Sequence, residues 1–217
     1  GVFSAWAMSA AFATYFCMYA FRKPFAVGTY EGRVALPGLP ELDLKIVFII
    51  SQVIGYAASK FLGIKVVSEL KPRRRAAAIF AFIALAELAL LLFAVLPTPY
   101  NALALVLNGL PLGMIWGLGF GFLEGRKTSD LLGAGLCASF IVASGFTKMV
   151  GKMLMTAGVP EMWMPFFTGL VFFPPLMLVL WMLAHVPAPT EADEQARTRR
   201  APMDAAARWA FFGTHRT

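Results

Sequence analysis

Long apolar runs alternate with short polar ones along almost the whole chain. The apolar runs cover residues 2–27, 44–67, 76–96, 102–123, 131–155 and 163–186. A membrane-spanning helix needs roughly 20 such residues, so the pattern predicts six transmembrane helices. The segments between them, among them PGLPELD, KPRRR, PTPYN and AGVPEMW, bring the proline and glycine of turns. The predicted fold is an all-α membrane protein, a bundle of six transmembrane helices over residues 1–186. From Pro187 onward, PAPTEADEQARTRRAP is polar, charged and proline-containing, which reads as a cytoplasmic linker over residues 187–217. Within it AAARWAFFG turns apolar again, as at the approach to another helix.

Composition supports a bilayer as the solvent. The chain is 59% hydrophobic and 14% charged, with a mean hydropathy of +0.71, whereas a soluble domain carries about a quarter charged residues. A net charge of +7 would suggest nucleic acid in a soluble protein. Here the bases sit in short segments between apolar runs, where they set topology, so the lipid bilayer is the expected partner and nucleic acid is not. Lys65, Lys71, Arg73, Arg74 and Arg75 lie between runs two and three, Arg126 and Lys127 between runs four and five, and Arg197, Arg199, Arg200 and Arg208 after run six. The alternate loops carry no such excess, so the positive-inside rule puts both termini in the cytoplasm.

The chain opens Gly1-Val2-Phe3 with neither the basic start nor the cleavage site of a secretory signal. The first run therefore reads as a true span, and the sequence as a piece of a longer chain. Cys17 and Cys137 lie inside apolar runs in no metal-ligand spacing. They read as packing residues rather than a disulfide or a site, and no metal or cofactor is expected.

Charges inside the apolar runs carry the functional information. A charge at the bilayer centre costs about 2.5 to 3.5 kcal/mol on insertion scales, so it normally faces a cavity or a partner. Arg22, Lys60, Lys148 and Lys152 are set against the single acid Glu87, with Lys23 beside Arg22. Internal pairing cannot neutralise that set, and a bundle lined by it would favour an anion. Lys148 and Lys152 share one helix face, and Lys152, near the outer end, is placed to snorkel to the surface. Glu87 reads first as an ion pair with a neighbouring lysine and second as a proton-coupling carboxylate. For Arg22 the choice is between a stop at the bilayer surface and a buried charge. PFAVGTY stays apolar beyond it, which favours the buried reading if the helix continues. Lys23 would then point about 100° away. Gly113 and Gly117 form a GxxxG suited to close helix packing, and Pro174-Pro175 should kink or interrupt the sixth span.

These residues resemble a known family. Tyr15, Tyr19, Arg22-Lys23 and Phe25 in YFCMYAFRKPF are similar to the first helix of the organophosphate:phosphate antiporters, the glycerol-3-phosphate and hexose-phosphate transporters of the major facilitator superfamily. IGYAASKF, with Tyr56 four residues before Lys60, resembles their second helix, and SELKPRRR looks like an altered form of the superfamily's loop between helices two and three. The corresponding stretch of the fifth span, LCASFIVASG, lacks that family's histidine. The resemblance implies the N-terminal half of a twelve-helix carrier, partnered by a C-terminal half, in the cytoplasmic membrane of a bacterium. It implies a phosphate or carboxylate bound by Arg22, with Lys23, Lys60, Tyr15, Tyr19 and Tyr56 around it; Lys148 is added from its depth in span five. An arginine fork takes two oxyanion oxygens, lysines add point charge, and tyrosine hydroxyls orient.

The expected function is therefore a secondary carrier for a small anionic solute, with phosphorylated solutes among the candidates. The rival from another class keeps the fold without transport, as a sensor or interaction partner. An enzyme is not expected: His185 and His215 are isolated and no catalytic set converges.

Overall fold

The computed structural model describes residues 2–35, 40–70, 74–120 and 129–185. The loop bases Lys71, Arg73, Arg126 and Lys127 and the predicted linker over residues 187–217, with its arginines, lie outside the described residues.

The described chain is mostly helical. Its α-helices are α1 (Val2–Met18), α2 (Leu44–Glu69), α3 (Arg75–Val95), α4 (Asn101–Phe120), α5 (Ser129–Thr156) and α6 (Met164–Ala184). Four are long and apolar enough to cross a membrane: α2 over Leu44–Ile64, α3, α4 over Asn101–Gly119, and α6. At 1.5 Å per residue, a 21-residue helix such as α3 is about 30 Å long, the thickness of a hydrocarbon core. The protein is thus membrane-embedded through apolar helices. The apolar part of the first helical region is shorter, Ser9–Phe21. Helix α5 carries Lys148 and Lys152 on its second half.

Helix α4 is the centre of the packing. Of its apolar window 67% is buried inside the protein, against 33% for α2 and 39% for α3 and α6. It packs against α2, α3 and α1, while α1 also meets α5 and α6, and α3 meets α6. The α2–α4 contact is made by glycines. A Cβ on Gly55 would land on the Val106 carbonyl, one on Gly109 on the Gln52 carbonyl, and one on Gly113 on the Ser59 hydroxyl. Small residues let two backbones approach this closely in an apolar solvent, where packing rather than water exclusion drives helix association. The expected close contact at Gly113 is present, and Gly109, four residues before it, makes another. Helix α6 runs through Pro174 and Pro175 without interruption.

The first span departs from the expected continuous helix to residue 27. Helix α1 ends at Met18 and the chain continues as two 3₁₀ turns, Tyr19–Phe21 and Pro24–Val27. Pro24 has no N–H to continue an α-helix, and in one its ring would clash with the carbonyl four residues earlier, at Ala20. Lys23 stands at the junction of these two turns, with its N–H donating to the Tyr19 carbonyl at 2.9 Å. Beyond these turns, β1 (Arg33–Val34) pairs antiparallel with β2 (Leu42–Asp43), Arg33 opposite Asp43. Their side chains form an exposed ion pair at 3.5 Å.

Candidate functional site

Unwinding at Tyr19–Phe21 releases backbone carbonyls in an apolar setting, and two buried amides take them up. The Gln52 Nε2 donates to the Arg22 carbonyl at 3.1 Å and to Asn108 Oδ1 at 2.9 Å. The Asn108 Nδ2 donates to the Phe21 carbonyl at 3.0 Å and to the Ala86 carbonyl at 3.1 Å. Asn108 is fully buried and Gln52 nearly so. One network from α2 and α4 thus fixes the backbone under Arg22 and ties it to α3. With water excluded, an unmet carbonyl would cost several kcal/mol, so these amides are what makes the break in the helix tolerable.

On this fixed backbone the Arg22 guanidinium lies over the Tyr56 ring, its carbon 3.8 Å from the centroid. The Lys60 ammonium, one turn further along α2, lies 4.4 Å from the same centroid and donates to the Gly113 carbonyl at 3.2 Å. Cations over an aromatic face are held by the ring quadrupole, more strongly where water is scarce. The tyrosines of α1 border this group. Tyr15 and Tyr19 are buried, with ring centroids 5.6 Å apart, and Phe140 of α5 packs on both, 4.9 Å from Tyr15 and 6.0 Å from Tyr19. Tyr15, Tyr19, Tyr56 and Arg22 are electrostatic neighbours, and Lys23 lies within electrostatic reach of Arg22 and Lys148.

The structure therefore brings Tyr15, Tyr19, Arg22, Tyr56 and Lys60 together, and places Lys23 and Lys148 at the edge of the group. None of these cations meets a carboxylate among the described residues, and Arg22 Nε is buried without a hydrogen-bond partner. A buried donor left open in this way is unusual enough to require an explanation. Lys152 is exposed at the far end of α5, beside an open recess of about 480 Å³ lined also by Met149, Met153, Thr156 and Ala157. Among the described residues no three His, Cys, Asp or Glu gather as a metal site. Cys17 is buried and Cys137 exposed, both as free thiols.

Glu87 corrects the expected ion pair. It is buried in α3 with no hydrogen-bond partner on either carboxylate oxygen. The helices packed against it, α4 and α6, carry no basic side chain that could reach it.

Outside the spans, Glu161 forms a clasp that the hydropathy pattern does not reveal. It accepts from the Thr29 N–H, from the Thr29 hydroxyl at 3.0 Å and from the Tyr30 N–H at 3.0 Å. Tyr30, at φ 47°, then stands edge-on to Phe48 and Phe93 in a buried cluster. Burial first, and the Glu161 carboxylate second, push the Tyr30 phenol above its ordinary pKa, so it stays neutral.

Fold and site together define a mostly helical, membrane-embedded protein with a cluster of basic and aromatic side chains at the end of its first helical region. The chain belongs to the DUF5690 family, a family of unknown function, whose model matches residues 24–217. Tyr56, Lys60 and Lys148 lie within the matched residues, whereas Tyr15, Tyr19, Arg22 and Lys23 precede them. No curated protein and no solved structure matches the chain.

Proposed function

We propose that this chain is the N-terminal six-span bundle of a major-facilitator-type secondary carrier for a small anionic solute, with both termini in the cytoplasm. Phosphorylated solutes lead the candidates, following the resemblance to the organophosphate:phosphate antiporters. The observation that carries the reading is the shared Tyr56 ring, which holds Arg22 and Lys60 side by side with no acid among the described residues to neutralise them. Two cations gathered against their own repulsion in an apolar bundle are stabilised by an anion between or beside them. Arg22, whose Nε is open, supplies the planar fork, Lys60 the point charge, and Tyr15 and Tyr19 the flanking aromatic wall. Lys23 and Lys148 extend the positive field, which draws an anion towards the site.

The second bundle of such a carrier completes alternating access. The cytoplasmic membrane of a bacterium is the proposed location.

The test is uptake of labelled phosphate and organophosphates by the full-length protein in proteoliposomes, wild type against Arg22→Lys and Lys60→Ala. Both variants are expected to lose most of the uptake. Variants that move every tested anion as well as wild type does would place the solute elsewhere.

A further inference from the structure

Glu87 is the one ionisable group of α3 that lies deep in the packed helices, and the anion site does not use it. Its side chain rests on Gly169 of α6: a Cβ at Gly169 would fall on the carboxyl group, contacting both oxygens. The missing side chain is thus the space that the carboxyl fills. Neither oxygen finds a donor among the described residues. The neighbouring Thr168 hydroxyl is already committed to the Met164 carbonyl, at 2.8 Å. The elements packed on α3 bring little charge. Helices α4 and α6 carry no titratable side chain, and the turn Tyr19–Phe21 brings only Tyr19, with Arg22 directly after it. No ion pair or hydrogen bond links Glu87 to either.

An ionised carboxylate in such a place would be buried, unpaired and without donors, the most costly state open to it. A carboxyl group that carries a proton fits the same space as a neutral group. Glu87 is also one residue from the backbone that supports Arg22: the Ala86 carbonyl accepts from Asn108, which holds the Phe21 carbonyl and Gln52, and Gln52 holds the Arg22 carbonyl. Two amides therefore link the backbone of α3 beside Glu87 to the backbone of the anion site.

We propose that Glu87 is a proton-binding site, and that the Asn108–Gln52 network couples its occupancy to that of the Arg22–Lys60 anion site. The ligand is a single proton, and the step is dissociation of the Glu87 carboxylic acid to a carboxylate and a proton taken by water. Release leaves a charge that the Gly169 contact does not accommodate, so it goes with a rearrangement of α3 on α6. The sign of the coupling follows from electrostatics. An anion at Arg22 disfavours a second negative charge nearby, so anion and proton bind together, and each tightens the other by the same factor. The coupling rests on the anion-site reading; the proton site does not.

The test is infrared difference spectroscopy of the full chain in lipid vesicles during a pH titration, wild type against Glu87→Gln and Gly169→Ala. Wild type is expected to show the C=O stretch of a protonated carboxylic acid at neutral pH. Glu87→Gln should lack it while keeping wild-type helicity by circular dichroism. In Gly169→Ala, which keeps the acid but fills its space, the band should shift. A band present in Glu87→Gln, unchanged in Gly169→Ala, or absent from wild type at neutral pH overturns the site. Adding sulfate, whose charge is constant over this range, should move the midpoint of the band to higher pH, with about tenfold tighter proton binding. An unmoved midpoint in protein that binds sulfate by calorimetry overturns the coupling. Protein that binds neither sulfate nor phosphate refutes the anion site and the coupling together, while the band still decides the proton site.

Discussion

Arg22 and Glu87 are both ionisable groups set among apolar helices, and the protein surrounds them in opposite ways. Around Arg22 it places an aromatic ring, a neighbouring lysine and two amides that secure the backbone beneath. Around Glu87 it places a glycine and, among the described residues, no donor. The first arrangement keeps a charge and waits for an opposite one; the second suits a group that sheds its charge. What separates them is the supply of polar partners. A third ionisable group, Glu161, shows what a fully partnered carboxylate looks like here, with three donors converging on it.

The largest effect expected from breaking this contrast is at Asn108. Asn108→Leu strands the Phe21 and Ala86 carbonyls and part of Gln52, at about 1–3 kcal/mol for each unmet buried group. Unfolding in detergent should show a loss of roughly 3 kcal/mol or more. A variant as stable as wild type would mean that the network does not hold the Arg22 backbone.

Next comes the close approach of α2 and α4, which sets the Tyr56–Lys60 face against the Gly113 carbonyl. Gly55→Ala drives a methyl into the Val106 backbone, which cannot rotate away, and overpacking of this kind costs about 1–3 kcal/mol. Gly113→Ala meets a serine side chain instead and should cost less, by the same thermal assay. The reverse ranking would place the tight contact elsewhere.

Glu161→Gln removes the charge but keeps one acceptor, so a loss of about 1 kcal/mol is expected at neutral pH. Glu87→Gln is the contrasting control. With no partner to lose, it should change stability by less than about 0.5 kcal/mol, whereas breaking a buried ion pair costs about 3–5 kcal/mol. A large loss there would show that Glu87 is paired after all.

Much of the fold is legible in the sequence because hydropathy reports the solvent. The helices α2, α3, α4 and α6 begin and end within a few residues of the apolar runs that predict them. The break after Met18 was harder to read. Pro24 signals it, but PFAVGTY is apolar on both readings, and hydropathy is blind to whether an apolar segment is helix or turn. For the site, Arg22, Lys60 and Tyr56 stand out because charge and aromatic spacing survive as sequence patterns. Gln52 and Asn108 were missed, although an amide inside an apolar run is a signal of an interhelical hydrogen bond. The Glu161 clasp joins residues more than a hundred positions apart, and no local pattern encodes it. Glu87 stands out, but its surroundings do not: sequence shows which lysines exist, and only packing shows that none among the described residues pairs with it.

The central claim is that Arg22 and Lys60 together bind an anion, and calorimetric titration of phosphate into the purified full-length protein addresses it most directly. Arg22→Lys loses the fork and the stack on Tyr56 and Lys60→Ala loses a charge, and each should weaken binding by about tenfold to a hundredfold, or roughly 1.5–3 kcal/mol. Phosphate affinity equal to wild type in both variants would contradict the account.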